Sequence, residues 1–201
     1  MARRLFPRPV PRFSSEAYWV DRYKAGQNSG DGSYGELATF KAEILNRFVA
    51  KHGIASVIEF GCGDGNQLTL ATYPRYVGFD VSPEAIRWCR EKFRTDSTKT
   101  FRAVSEYRGE KAELALSLDV LYHLVEEAIY LSYLERLFDA AEKYVIIYAA
   151  DKDDNPPTTA RHECYRKFTA WVAKHRPDWK LIDHIPNRYD SWAEFYVYER
   201  G

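Results

Sequence analysis

Cysteine is scarce in this chain. Cys62, Cys89 and Cys164 make an odd number without metal-binding spacing, which excludes a disulfide scaffold and a cysteine-built zinc module and points to a reduced, cytoplasmic compartment. An excess of either charge sign is also missing: 29 Lys and Arg stand against 29 Asp and Glu. The broad positive field that duplex nucleic acid demands is therefore not built, and no nucleic-acid partner is expected. No apolar run is long enough to cross a bilayer and no secretory signal core is present, so no membrane association is expected. At 201 residues the chain suits one sizeable α/β core and is too short for two comfortable domains. Aromatic side chains are plentiful, with 15 Tyr and 5 Trp, enough to serve both a core and a cleft.

The chain opens on Arg3, Arg4, Arg8 and Arg12 interleaved with Pro7, Pro9 and Pro11, a pattern that blocks helix and favours an extended arm. Ser14 to Lys24 reads as a short helix, and Ala25 to Ser33, all small or polar, as a loop. Ser33-Tyr34-Gly35-Glu36 fits a capping box, opening a helix with Leu37, Phe40, Ile44, Leu45 and Phe48 at helical spacing and Gly53 as its stop. Residues 1–33 thus form an arm, a helix and a loop ahead of a domain over 34–201.

From Ser56 onward strand, turn and helix alternate. Strands are expected at 57–60, 76–80, 100–104, 114–118, 144–149, 180–185 and 194–199. Helices are expected after the first glycine turn, after Ser82-Pro83-Glu84, over about 126–141 and over about 159–174. Seven strands with interleaved helices predict a mostly parallel, Rossmann-like α/β sheet covered on both faces.

The strongest local signal is Val57-Ile-Glu-Phe-Gly61-Cys62-Gly63-Asp64-Gly65-Asn66-Gln67. A glycine-rich turn after a first strand lets the backbone approach a ligand at the carboxyl edge of the sheet. The spacing is G-x-G-x-G. The dinucleotide fingerprint needs glycine where Asn66 stands, which argues against a hydride-transferring enzyme. Glu59, inside the strand, suits a cationic ligand better than a pyrophosphate.

Glu59-Phe60-Gly61-Cys62-Gly63-Asp64-Gly65 resembles motif I of the class I S-adenosylmethionine-dependent methyltransferases. The resemblance implies that fold and that cofactor. It implies that Asp80, ending the second strand, binds the ribose hydroxyls, and that Asn66 and Gln67 border the cofactor. Ser105 and Glu106 would lie beside the adenine, and Tyr23 with the loop from Gly26 to Tyr34 would close over the methionine end. Together with that loop, the motif also resembles small bacterial sugar- and polysaccharide-modifying methyltransferases. This implies an oxygen acceptor on a small polar molecule, a sugar or oligosaccharide. Transfer to nitrogen on a small metabolite, or cofactor binding without catalysis, are the alternatives.

An alcohol acceptor must lose its proton, and histidine is the usual base near neutral pH. His123, four residues past Asp119 at the exit of the fourth strand, and His162, on the expected helix after the fifth, are the candidates, with Asp119 or Asp151 in support. Asp119, Asp151, Asp153 and Asp154 offer hard oxygen ligands should a divalent metal such as Mg²⁺ be used. Asp154-Asn155-Pro156-Pro157 comes near the N/D-P-P-Y motif of nitrogen methyltransferases but follows the wrong strand and lacks the aromatic.

Overall fold

The computed structural model describes residues 13–201; the Arg/Pro-rich arm lies outside them. Its elements are α1 (Ser15–Lys24), α2 (Gly35–His52), β1 (Val57–Phe60), β2 (Tyr76–Asp80), α3 (Pro83–Lys92), β3 (Lys99–Ala103), β4 (Ala112–Leu118), α4 (Glu127–Asp139), β5 (Ala141–Ala149), α5 (Phe168–His175), β6 (Trp179–Ile185) and β7 (Glu194–Arg200). The strands form one sheet in the order β3-β2-β1-β4-β5-β7-β6. The first five run parallel, and β7 is antiparallel to both β5 and β6.

Because side chains alternate along a strand, each strand feeds two cores. Ile58, Phe60, Ala115, Val145 and Ile147 pack with Leu134, Leu137 and Phe138 of α4 and with Phe168 and Val172 of α5. Val57, Leu114, Leu116, Ile146 and Tyr148 pack with Phe40, Leu45 and Val49 of α2 and with Ile86 and Cys89 of α3. The expected coverage of both faces is what the structure shows. From β1 the chain moves outward through β2 and β3, then crosses back to β4 on the other side of β1. The carboxyl ends of β1 and β4 therefore flank the crevice where open α/β sheets bind ligands.

Three expected features differ. Residues 61–75 form only a short 3₁₀ turn, Gln67–Leu70, instead of a helix. Asn46 of α2 donates to the Leu70 carbonyl at 2.8 Å and accepts from the Thr72 amide at 2.9 Å, holding that stretch extended. Ser33 does not cap α2. It ends a separate 3₁₀ turn, Asp31–Ser33, and Tyr34 occupies the N-cap without a side-chain bond. The fourth expected helix shrinks to α5, because its first half is a loop with polar ties of its own. Asn155 accepts from the Tyr165 amide and donates to its carbonyl at 2.7 and 2.8 Å, and Asp153 accepts from the Lys167 amide at 2.7 Å. These side chains satisfy backbone groups that a helix would otherwise have satisfied.

Candidate active site

The turn after β1 is built from main chain. Gly61 has φ +89°, and a Cβ there would stand 2.4 Å from Val120 Cγ2, so only glycine lets this turn lie against the exit of β4. Asp80, at the end of β2, accepts from the Gly63 amide at 3.0 Å and from the Ser82 amide at 2.8 Å. Burial pushes its carboxyl up to about 6 although those amides oppose the shift. Glu59 accepts from the Tyr76 hydroxyl at 2.6 Å, and burial pushes it up to about 7.

One cavity runs along this edge. Tyr23, Glu59, Gly61, Cys62, Gly63, Gln67 and Asp80 line it, as do Asp119 and His123. Gln67 donates to the Ala38 carbonyl at 3.0 Å, which leaves its buried Oε1 without a partner. Orphaned acceptors are costly unless a donor arrives. A wall of two buried carboxyls and an unpaired amide oxygen suits a ligand that carries positive charge and hydroxyl donors.

Four expected cofactor residues lie elsewhere. Gly65 packs against Cys89 and Phe93, and Asn66 donates to the Ser33 carbonyl at 2.7 Å, so both shape the turn from behind. Ser105 and Glu106 sit in a 3₁₀ turn after β3, where Glu106 accepts from the Ala103 amide at 2.8 Å; Val104 takes the cavity wall instead. The Glu106 side chain thus turns back to local backbone.

The loop between α1 and α2 has more structure than its composition suggests. Asp64 accepts from the Ser29 amide at 3.0 Å, the Tyr34 hydroxyl at 2.7 Å and the Asn66 amide at 2.9 Å. These donors outweigh burial and hold the Asp64 carboxyl below its ordinary range. Ser29 Oγ accepts from the Asp64 amide at 3.0 Å and lies 2.9 Å from the Tyr23 hydroxyl. The loop is thus fastened to the glycine turn, with Ser29 on the cavity wall.

The other half of the edge is built from side chains. Asp119, directly after β4, has φ +58°, the only positive φ of a non-glycine residue among those described. Such strain persists where the surroundings fix it. Asp119 Oδ2 accepts from Lys41 Nζ at 2.6 Å and Oδ1 from the Tyr122 hydroxyl at 2.8 Å. Lys41 is 1% exposed and lies over the Tyr148 ring. Both Asp119 oxygens are therefore engaged away from His123, and direct carboxylate support for that histidine, expected from the sequence, is absent. His123 Nδ1 faces the His162 carbonyl at 3.2 Å, and the Trp19 ring meets it edge-on. Burial is the main reason that its pKa lies below the ordinary histidine value. With Nδ1 directed at a carbonyl, the other ring nitrogen carries the lone pair.

His162 is in the 151–167 loop, not on a helix, and stacks behind His123 under Tyr18, outside the cavity wall. Asp151 caps α5, accepting from the Thr169 amide at 3.0 Å and its hydroxyl at 2.6 Å. Among the described residues, Asp119, Asp151, Asp153 and Asp154, the acids considered for a metal, do not gather into a common ligand cluster: Asp119 is held by Lys41 and Tyr122, Asp151 by Thr169, and Asp153 by Lys167.

Lys41 was not singled out from the sequence. Ala38, Lys41, Leu45 and Val49 share the buried stripe of α2, so the available signal was a charge on the apolar face of an amphipathic helix. Trp19 and the Ser15–Glu126 contact, which ties α1 to the start of α4 at the cavity rim, were also missed. Nothing local in the sequence indicates either.

A family model described as a methyltransferase domain matches residues 34–188. The chain is 27% identical over 128 residues to a tRNA (carboxymethyluridine(34)-5-O)-methyltransferase of Arabidopsis thaliana, covering 61% of this chain and 30% of that protein. The chain therefore spans under a third of that relative's length. Among solved structures, the N-methyltransferase NodS from Bradyrhizobium japonicum WM9 superposes with a TM-score of 0.74 at 15% identity, covering 93% of this chain and 99% of that one. Magnesium protoporphyrin IX methyltransferase from Synechocystis PCC 6803 gives 0.68 at 15% identity, covering 94% and 98%. These two likenesses establish the fold. The plant relative's name includes tRNA. No helix among the described residues is long and apolar enough to cross a membrane.

Proposed function

The chain belongs to the methyltransferase-domain family, and on that premise we propose that it transfers a methyl group from S-adenosylmethionine to an oxygen of a small polar acceptor bound beside His123. S-adenosylmethionine is its cofactor, and it supplies an activated methyl on a sulfonium sulfur. Asp80 binds the ribose hydroxyls. Glu59, Gln67 and Asp119 make the surroundings of the methionine end rich in acceptors, with Lys41 as the buried cation among them. Tyr23, Cys62 and the backbone of Gly61 and Gly63 complete the wall.

The observation that carries the acceptor half is the placement of His123. It shares one cavity with Asp80 and Glu59, and its ring is fixed by the His162 carbonyl so that one nitrogen remains free to take a proton. In-line displacement needs alignment and a poorly hydrated site. Trp19 and the fastened 26–34 loop supply enclosure. His162, Asp151 and a resident Mg²⁺ have no part in this reading.

A sugar or oligosaccharide hydroxyl is the acceptor that the aromatic rim and the motif favour. A second reading, favoured by the plant relative, is an oxygen of a modified nucleoside, where a carboxylate acceptor would need no base. The experiment is transfer of labelled methyl to a panel of sugars, oligosaccharides and carboxymethyl nucleosides by wild type and His123→Ala. Transfer to a hydroxyl acceptor that collapses in the variant supports the first reading. Transfer to a carboxylate that survives the substitution supports the second. Transfer only to nitrogen overturns both.

A further inference from the structure

Where the chain leaves β4 and the 151–167 loop packs against it, His162 and Glu163 meet His123 behind the wall that His123 gives to the acceptor cleft. One ring nitrogen from each histidine and one oxygen of Glu163 lie within 4.8 Å of one another. We propose that these three side chains form a binding site for a divalent transition-metal ion such as zinc.

Several features of the cluster resemble a prepared ligand set. Metal-binding imidazoles and carboxylates are usually held by a second layer of hydrogen bonds. His123 is oriented by the His162 carbonyl at 3.2 Å. The Tyr165 hydroxyl donates to Glu163 Oε2 at 2.9 Å, and Oε1, the other oxygen, lies 3.8 Å from His162 Nε2. The two segments are joined by the Cys164 amide, which donates to the Tyr122 carbonyl at 2.7 Å. Tyr18 stacks on His162 at 4.6 Å and fixes the outer ring. Zinc bonds of about 2.0–2.2 Å imply ligand atoms about 3.3 Å apart in a tetrahedron. The cluster must therefore contract by about an ångström, within reach of side-chain rotation. Two imidazoles and one carboxylate suit zinc, nickel, cobalt or iron and not magnesium, which separates this site from the acid cluster considered from sequence.

An ion here would draw on the lone pair of His123. On the reading of His123 as the proton acceptor, it would silence transfer to a hydroxyl and make turnover metal-sensitive. The binding itself does not depend on that reading.

The test is a titration of the full chain, free of any affinity tag, with Co²⁺ as the probe, followed by visible absorption. Saturation at one equivalent is expected. His162→Gln and Glu163→Gln should each weaken it at least about tenfold, with circular dichroism confirming that both fold, while Cys164→Ser should leave it unchanged. Absence of saturable binding, or equal binding by the double variant, overturns the site whatever happens to turnover. A site that fills while hydroxyl transfer proceeds unimpaired upholds the metal site and overturns the role given to His123.

Discussion

The two halves of the ligand edge are built on different principles. On the side of β1 and β2, residues 59–82 supply both the turn and the acid that ties it, with Asp80 accepting from amides of Gly63 and Ser82. On the side of β4 and β5, Asp119 is held by Lys41 from a helix 78 positions earlier, and His123 by the His162 carbonyl 39 positions later. The first half is backbone geometry, fixed as soon as the strands pair. The second is side-chain geometry, which exists only once distant segments have packed. A substitution in the first half should act on cofactor binding, and one in the second on turnover or on the stability of the whole cleft.

The sharpest division would come from His123→Ala. Turnover on a hydroxyl acceptor should fall by about 10²–10⁴, the usual worth of a general base. Affinity for S-adenosylhomocysteine, read by calorimetry, should barely move. A matching loss of affinity would merge the two halves.

Lys41→Met should be costly to the fold. It leaves Asp119 strained and without its cation, and breaking such a buried pair costs about 3–5 kcal/mol. Chemical denaturation measures it. A loss below about 1 kcal/mol would mean that the pair behaves as an exposed one does.

Asp80→Ala should weaken S-adenosylhomocysteine by about 1.5–3 kcal/mol for each charge-assisted bond lost. The same carboxyl burdens the ligand-free protein. Asp80 and Glu59 titrate at about 6 and about 7 in the folded chain, against ordinary values near 4. Between about pH 4 and 7 the folded state thus holds protons that the unfolded state has released. These groups favour folding most at low pH, and their contribution declines as pH rises through that window. Glu59→Gln should flatten that part of the stability–pH curve, and an unchanged slope would show that Glu59 is ionised throughout.

The smallest effect is expected from Asp151→Ala, which removes the two hydrogen bonds that Thr169, in the first turn of α5, donates to it. About 1 kcal/mol of stability should be lost, with turnover preserved. A large loss of turnover would return Asp151 to the acceptor site.

The physical grammar of each region decided how much of it could be read in advance. The glycine turn, Asp80, the Ser82-Pro83 start of α3 and the seven strands were legible because each depends on residues close in sequence: a φ only glycine adopts, a cap, an alternation of apolar residues. The 159–174 helix was misread because the Asn155–Tyr165 and Asp153–Lys167 ties compete with helix only once the loop has closed. His162 moved with it, from the cleft wall to a place behind His123. Asp119 lies directly after β4, where the strand pattern puts it, but its partner could not be read, because a lysine on an apolar stripe finds its counter-charge only when α2 docks on β4 and β5.

By itself the sequence determined a mostly parallel α/β sheet with a glycine turn after its first strand, since strand periodicity and glycine stereochemistry are local properties; the link to class I methyltransferases rested on the resemblance of the 59–65 motif. Tertiary structure alone decided which histidine reaches the cleft, that Lys41 rather than His123 takes the Asp119 carboxylate, and that His162 and Glu163 gather behind His123. Those are matters of long-range packing, in which buried polar groups settle on whichever partners the closed core brings within hydrogen-bond reach.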